Sequence, residues 1–168
     1  MTYEQFMIKD LQDLYESETE QVRQLTRLAS QANNGALQTA LQEHADETQQ
    51  QVTRLEQILE MVGETHGGDG QVPPGMLGLI GEADLKALQI QHPALRDLAL
   101  IAAAQKMEHY EIACYGTARA MARTAGLDEA ARLLQTTLNE EEAADKRLTE
   151  IALPIHKEAA QADPALTR

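Results

Sequence analysis

The chain has no tryptophan, a single phenylalanine and few β-branched runs. Ala, Leu, Gln and Glu dominate instead. They are helix formers, and little in the composition supports a sheet. One cysteine, Cys114, excludes an intramolecular disulfide and fits a reducing compartment. No apolar run approaches the roughly 18 residues needed to span a bilayer. The start, Met-Thr-Tyr-Glu-Gln-Phe, lacks the basic and apolar regions of a signal peptide, so a cytoplasmic protein away from membranes is expected. Basic residues are scarce: 14 Lys and Arg stand against 27 Asp and Glu, a formal net charge of −13. That balance argues against phosphate-contacting nucleic-acid binding and favours attraction of cations.

What is present is helical periodicity across 168 residues, enough for one domain with a full core. Apolar positions Phe6, Met7, Leu11, Leu14, Val22, Leu25 and Leu28 set a first helix over about 3–33. Asn33-Asn34-Gly35 breaks it, and a second helix runs to Val62, stopped by Gly63. A glycine- and proline-rich loop follows to Pro74, then a shorter helix over about 76–90. His92-Pro93 opens a third long helix that Gly126 ends. Asp128 is suited to cap the fourth, and Pro154 to end or kink it, leaving a frayed tail over 156–168. The layout is a hairpin over 3–63, a crossover over 64–92 and a hairpin over 93–155. It predicts an all-α, ferritin-like four-helix bundle with one long crossover carrying a short extra helix.

Carboxylates interrupt the stripes that should form the core. On the third long helix the inward line is Leu98, Ile101, Ala104, Glu108, Glu111, Tyr115, Ala118 and Ala122. On the first it is Leu11, Leu14, Glu18, Leu25 and Leu28. On the second it is Leu37, Leu41, His44, Glu47, Gln51, Leu55 and Ile58, and on the fourth Leu134, Thr137, Glu140 or Glu141, Ala144, Leu148 and Ile151. Aligning Thr53-Arg54-Leu55 with Lys146-Arg147-Leu148 superimposes the hairpins without a gap, matching Glu18 to Glu111 and Glu47 to Glu140. Buried carboxylates must be paired, protonated or metal-bound. Glu18, Glu47, Glu111 and Glu140 converging at one height would suit two divalent cations, iron first and manganese second. His44 and Glu108, one turn before Glu47 and Glu111, are further candidate ligands. Arg54 and Arg147 could instead neutralise the glutamates in an ion network without metal. Tyr15, Tyr115 and Gln51 are expected around the site. Cys114 and His109 read as packing or surface residues, and His66, His92 and His156 take no role.

These residues carry a resemblance. Asp13-Leu-Tyr, Glu18, Glu43-His44, Arg54-Leu-Glu, the run from Ala103 to Gly116 (Ala-Ala-Gln-Lys-Met-Glu-His-Tyr-Glu-Ile-Ala-Cys-Tyr-Gly) and Leu138-Asn-Glu-Glu resemble the YciE/YciF ferritin-like family of bacterial stress-associated proteins. The resemblance covers about residues 3–155. It implies a rubrerythrin-like bundle, a homodimer and a dinuclear metal site, without implying a settled reaction. The chain departs from the wider di-iron pattern, Glu-x-x-His on the second and fourth helices. Gln50 follows Glu47 by three and Ala143 follows Glu140 by three, and Glu142-x-x-Asp145 is an alternative pair. Two functions are therefore expected to compete. One is a dinuclear protein that oxidises Fe²⁺ or consumes O₂ or peroxide, with Glu18 and Glu111 terminal and, by analogy, Glu47 and Glu140 bridging. The other is a non-enzymatic stress or scaffold dimer with a structural or vacant site.

Overall fold

Five helices and no strand make up the regular structure of the computed structural model, among the described residues 1–64, 68 and 70–163. Thr2 caps α1 (Tyr3–Gln31) through a reciprocal box with Gln5. Asn34 caps α2 (Gly35–Met61) by accepting from the amides of Ala36 and Leu37. Pro74 and Pro93 occupy the first positions of α3 (Pro74–Gln89) and α4 (Pro93–Thr124), where no amide is needed. Gly63 and Gly126, at φ +80° and +76°, take the left-handed turns that stop α2 and α4.

Helix α5 (Asp128–Gln161) corrects two expectations. Leu127 holds the cap position and makes no side-chain bond, while Asp128 and Glu129 lie in the first turn, where their charge favours the helix dipole. The helix also continues through Pro154 rather than ending there. Proline removes one backbone hydrogen bond, at a cost of about 3 kcal/mol in a helix interior. Pro154 stands on the exposed face, where water can serve the released carbonyl, while Ala152 and Ile155 bury the opposite face. Packing of that face outweighs the lost bond, so residues 156–161 are helical.

The helices α1 and α2 form one hairpin and α4 and α5 the other; α1 packs on α4 and α2 on α5, a four-helix bundle with α3 laid against α4. Glu82 of α3 meets both Lys86 and Lys106 at 2.5 Å, and Arg27 of α1 pairs with Asp84, so the crossover is tied to both hairpins. The apolar interior falls into two clusters. One holds Leu25, Leu28, Leu41, Leu100, Ile101, Leu148 and Ile155, and the other Met7, Leu11, Leu55, Ile58, Met121 and Leu134. The polar residues foreseen in the middle of the stripes lie between them, at the waist.

Asp97 was not singled out from the sequence, yet it joins the hairpins. Its Oδ1 accepts from the Asn33 amide at 2.7 Å and from Asn33 Nδ2 at 3.3 Å, and its Oδ2 accepts from the Asn34 amide at 2.8 Å. A buried carboxylate on α4 thus satisfies the turn between α1 and α2. Asp97→Ala should cost about 2 kcal/mol in urea denaturation, since the half-buried amides of the turn lose a charged acceptor. Asp97→Asn should cost nearly as much, because its NH₂ faces one of those donors; a loss near zero for both would refute this role.

Candidate metal centre

Helical phase on α4 places Glu108 and Glu111 one turn apart on the buried face. Glu18 arrives from α1, His44 from α2 and Glu141 from α5; the four carboxylates have no solvent exposure and His44 has 6 %. His44 Nε2 lies 2.9 Å from Glu108 Oε2 and 3.5 Å from Glu141 Oε2. Tyr115 donates its hydroxyl to Glu18 Oε1 at 2.6 Å, and Gln21 donates Nε2 to Glu111 Oε2 at 2.5 Å. Two triads result, His44–Glu108–Glu141 and Glu18–Glu111–Glu141, each with its ligand-type atoms within 4.8 Å of one another. Glu141 belongs to both.

Burial and mutual repulsion govern the charges. Burial pushes Glu18 up to about 8, against the Tyr115 hydrogen bond. Burial and the neighbouring Glu18 and Glu108 hold Glu111 well above the carboxylate range. Burial and Glu108 do the same to Glu141. Burial alone would lower His44, but the Glu108 carboxylate outweighs it and raises the imidazole to about 10. Burial would raise Glu108, yet the neighbouring His44 outweighs it and leaves the carboxyl below its ordinary value. Without metal near neutral pH, the site is a His44–Glu108 ion pair beside protonated carboxyls.

The sequence-derived candidates divide accordingly. Glu18, His44, Glu108 and Glu111 come together. Glu47 and Glu140 do not join them. Glu47 is 42 % exposed with its Oε2 3.6 Å from His44 Nδ1, and His44 holds it below its ordinary value. Glu140 is bound by Arg54 at 2.7 and 3.1 Å and by Gln51 Nε2 at 3.2 Å, while Arg54 also donates to Thr137 at 2.5 Å. The expected convergence of Glu18, Glu47, Glu111 and Glu140 is thus corrected at two positions. Consecutive residues point about 100° apart on a helix, and with Glu140 turned to Arg54 it is Glu141 that faces inward. Arg147 pairs with Glu43 at 2.6 Å, outside the cluster. Tyr115 reaches a cluster carboxylate, whereas Tyr15 lies 3.4 Å from Glu56. Glu142 is exposed, and Asp145 accepts from Gln105 at 2.9 Å. His66 lies outside the described residues. Gln21 was missed, although it fills the step between Glu18 and Leu25 on the α1 stripe.

The donor set fits a pair of divalent cations. Glu18 Oε2, Glu108 Oε1, Glu111 Oε1, both Glu141 oxygens and His44 Nδ1 are buried without a hydrogen-bond partner. Buried polar atoms of this kind are costly without a partner, which a cation replacing the protons would supply. Four carboxylates carry the charge to balance two dications, and carboxylate oxygen with imidazole nitrogen suits iron or manganese.

A ferritin-like bundle with a buried carboxylate–histidine cluster at its waist is the class these features define. The chain belongs to the family described as Domain of unknown function (DUF892), which matches residues 2–161. It is 40 % identical over 152 residues to protein YciF of Escherichia coli strain K12, covering 90 % of this chain and 91 % of that one. The crystal structure of the E. coli stress protein YciF superimposes with a TM-score of 0.87 at 39 % identity, covering 94 % of this chain and 98 % of that one. YcfI of Rhodopseudomonas palustris, provisionally described as a structural protein, gives a TM-score of 0.87 at 40 % identity, covering 91 % and 96 %. No helix among the described residues is long and apolar enough to cross a membrane.

Proposed function

We propose that the protein holds two divalent cations, iron or manganese, at the waist of the bundle and serves in a bacterial stress response. The observation that carries this reading is Glu141, shared by two triads of buried donors. His44 and Glu108 would serve one ion, Glu18 and Glu111 the other, and Glu141 both. When bound, such a pair supplies two one-electron donors for O₂ or peroxide. The chain's own part is positional. Tyr115 orients Glu18, Gln21 orients Glu111, and the apolar clusters on either side keep bulk water out. Protein stripped by chelator and dialysed against Mn²⁺ should retain about two equivalents, with protons released as the carboxyls and His44 give way to metal.

One observation favours the second reading, a bundle whose dimer surface acts while the site stays vacant. The His44–Glu108 pair and the Tyr115 and Gln21 hydrogen bonds already compensate part of the cluster without metal. No uptake of Mn²⁺ or Fe²⁺ in dialysis would select it.

A further inference from the structure

Two ends of the seam between α2 and α5 are related by the internal repeat, yet they are built differently. At one end Arg54 lies across the seam, donating to Thr137 and Glu140, with Gln51 also bonded to Glu140. The ungapped alignment of the hairpins places Arg147 opposite Arg54, His44 opposite Thr137, and Glu47 opposite Glu140. Repeat symmetry would therefore lay Arg147 over His44 and Glu47. Instead Arg147 pairs with Glu43, at 2.6 Å. Small residues complete the difference: Ala144 and Ala40 stand where the first end has Gln51 and Leu133, and Ala143 lies beside them. The result is a cleft of about 360 Å³ lined by those alanines, by Glu43, Asp46, Glu47 and Arg147, and by His44.

His44 is the wall between cleft and cluster. Its Nε2 faces Glu108 and Glu141, while Nδ1 faces Glu47 on the cleft side and has no hydrogen-bond partner despite being buried. A second cleft, between α1 and α4, is lined by Asp10, Asp13, Ser17, Tyr110 and Cys114 and touches no cluster residue. We propose that the α2–α5 cleft is the route by which a divalent cation enters the buried cluster, with Glu47 its capture group and His44 Nδ1 the first nitrogen it meets. The acidic lip raises the local cation concentration, and the missing arginine cap leaves the imidazole approachable. This rests on the proposed metal binding, and adds that loading has a direction and a doorway.

The experiment is stopped-flow loading of chelator-stripped protein with Co²⁺, read by its visible absorption, beside equilibrium dialysis for final content. Glu47→Gln should load roughly tenfold more slowly, as loss of a steering charge predicts, yet reach the wild-type content. Ala144→Gln, which copies the closed end, should slow loading at least as much. Glu142→Gln, an exposed charge elsewhere on α5, should change little and controls for general electrostatics. Thermal melts of the stripped variants confirm folding. Wild-type rates for both Glu47→Gln and Ala144→Gln overturn the route while leaving metal binding intact. Reduced final content in Glu47→Gln overturns it too, making Glu47 a ligand. Failure of the wild type to take up Co²⁺, Mn²⁺ or Fe²⁺ overturns both proposals.

Discussion

Metal-free protein should melt at a lower temperature at pH 8 than at pH 5, and saturating Mn²⁺ should reverse that order. The sign follows from which state holds more protons. Glu18 is raised from 4.5 to about 8, so between those values the fold keeps a proton that the unfolded chain has lost. Its stabilising contribution is complete below 4.5 and disappears as pH rises toward 8. Glu111 and Glu141, also raised, act in the same direction. His44, raised from 6.5 to about 10, adds stability that is complete below 6.5 and fades above it. Glu108 within the cluster, and Glu47, Glu82 and Glu129 outside it, have the opposite sign, and their loss falls below pH 4.5, outside the window. Glu18 by itself represents on the order of 4 kcal/mol, a melting decrease of roughly 10 °C for a chain of this length. Metal reverses the slope because the ligands must be deprotonated, so affinity grows with pH and ligand-linked stability grows with it. General repulsion among surface carboxylates also weakens the protein as pH rises, so matched NaCl is the control for screening. A metal-free melting temperature that is flat or rising from pH 5 to pH 8 would refute the protonation scheme.

The bundle was legible because its signals are local. Asn33-Asn34-Gly35, Gly63 and Gly126 mark helix ends by backbone geometry, and three- and four-residue steps mark the buried faces. From Ile101 onward the α4 stripe, with Glu108, Glu111 and Tyr115 among alanines, is buried as its periodicity predicts, while Leu98 at its start is only half-buried. What escaped depends on partners distant in sequence. Asp97 precedes Leu98 by one residue and takes the buried position expected of it, and its role appears only when Asn33 and Asn34 are brought to it. Choosing between Glu140 and Glu141 needed Arg54, which lies on another helix and draws Glu140 out of the core. The missing Glu-x-x-His on the second helix has a similar answer: His44 precedes Glu47 by one turn and faces inward, and Glu47 faces the cleft. Pro154 misled because a local rule about amides was outweighed by burial of Ile155 next to it.

Glu111→Gln should raise the melting temperature of metal-free protein at pH 8 and abolish most of the rise that Mn²⁺ gives the wild type. Glutamine copies the shape of a protonated carboxyl, which is the form burial imposes on Glu111. Its amide oxygen can still accept from Gln21 Nε2, the bond Glu111 makes at 2.5 Å. Without metal the substitution therefore removes the cost, growing with pH, of holding a proton that the unfolded chain has released, and it costs little packing. With metal it removes a charged donor from the Glu18–Glu111–Glu141 triad, so retained Mn²⁺ should fall from about two equivalents to one or fewer. Glu140→Gln is the contrasting variant. Glu140 neutralises Arg54, which is 16 % exposed, so its loss leaves a largely buried cation without its charged partner. That should destabilise the protein by about 2 kcal/mol, equally with Mn²⁺ and with chelator. The two variants thus separate a metal site from an ion network by the sign and metal dependence of their melts. If Glu111→Gln destabilises the protein to the same extent in both conditions, the buried glutamates serve the fold alone and the dinuclear reading is wrong.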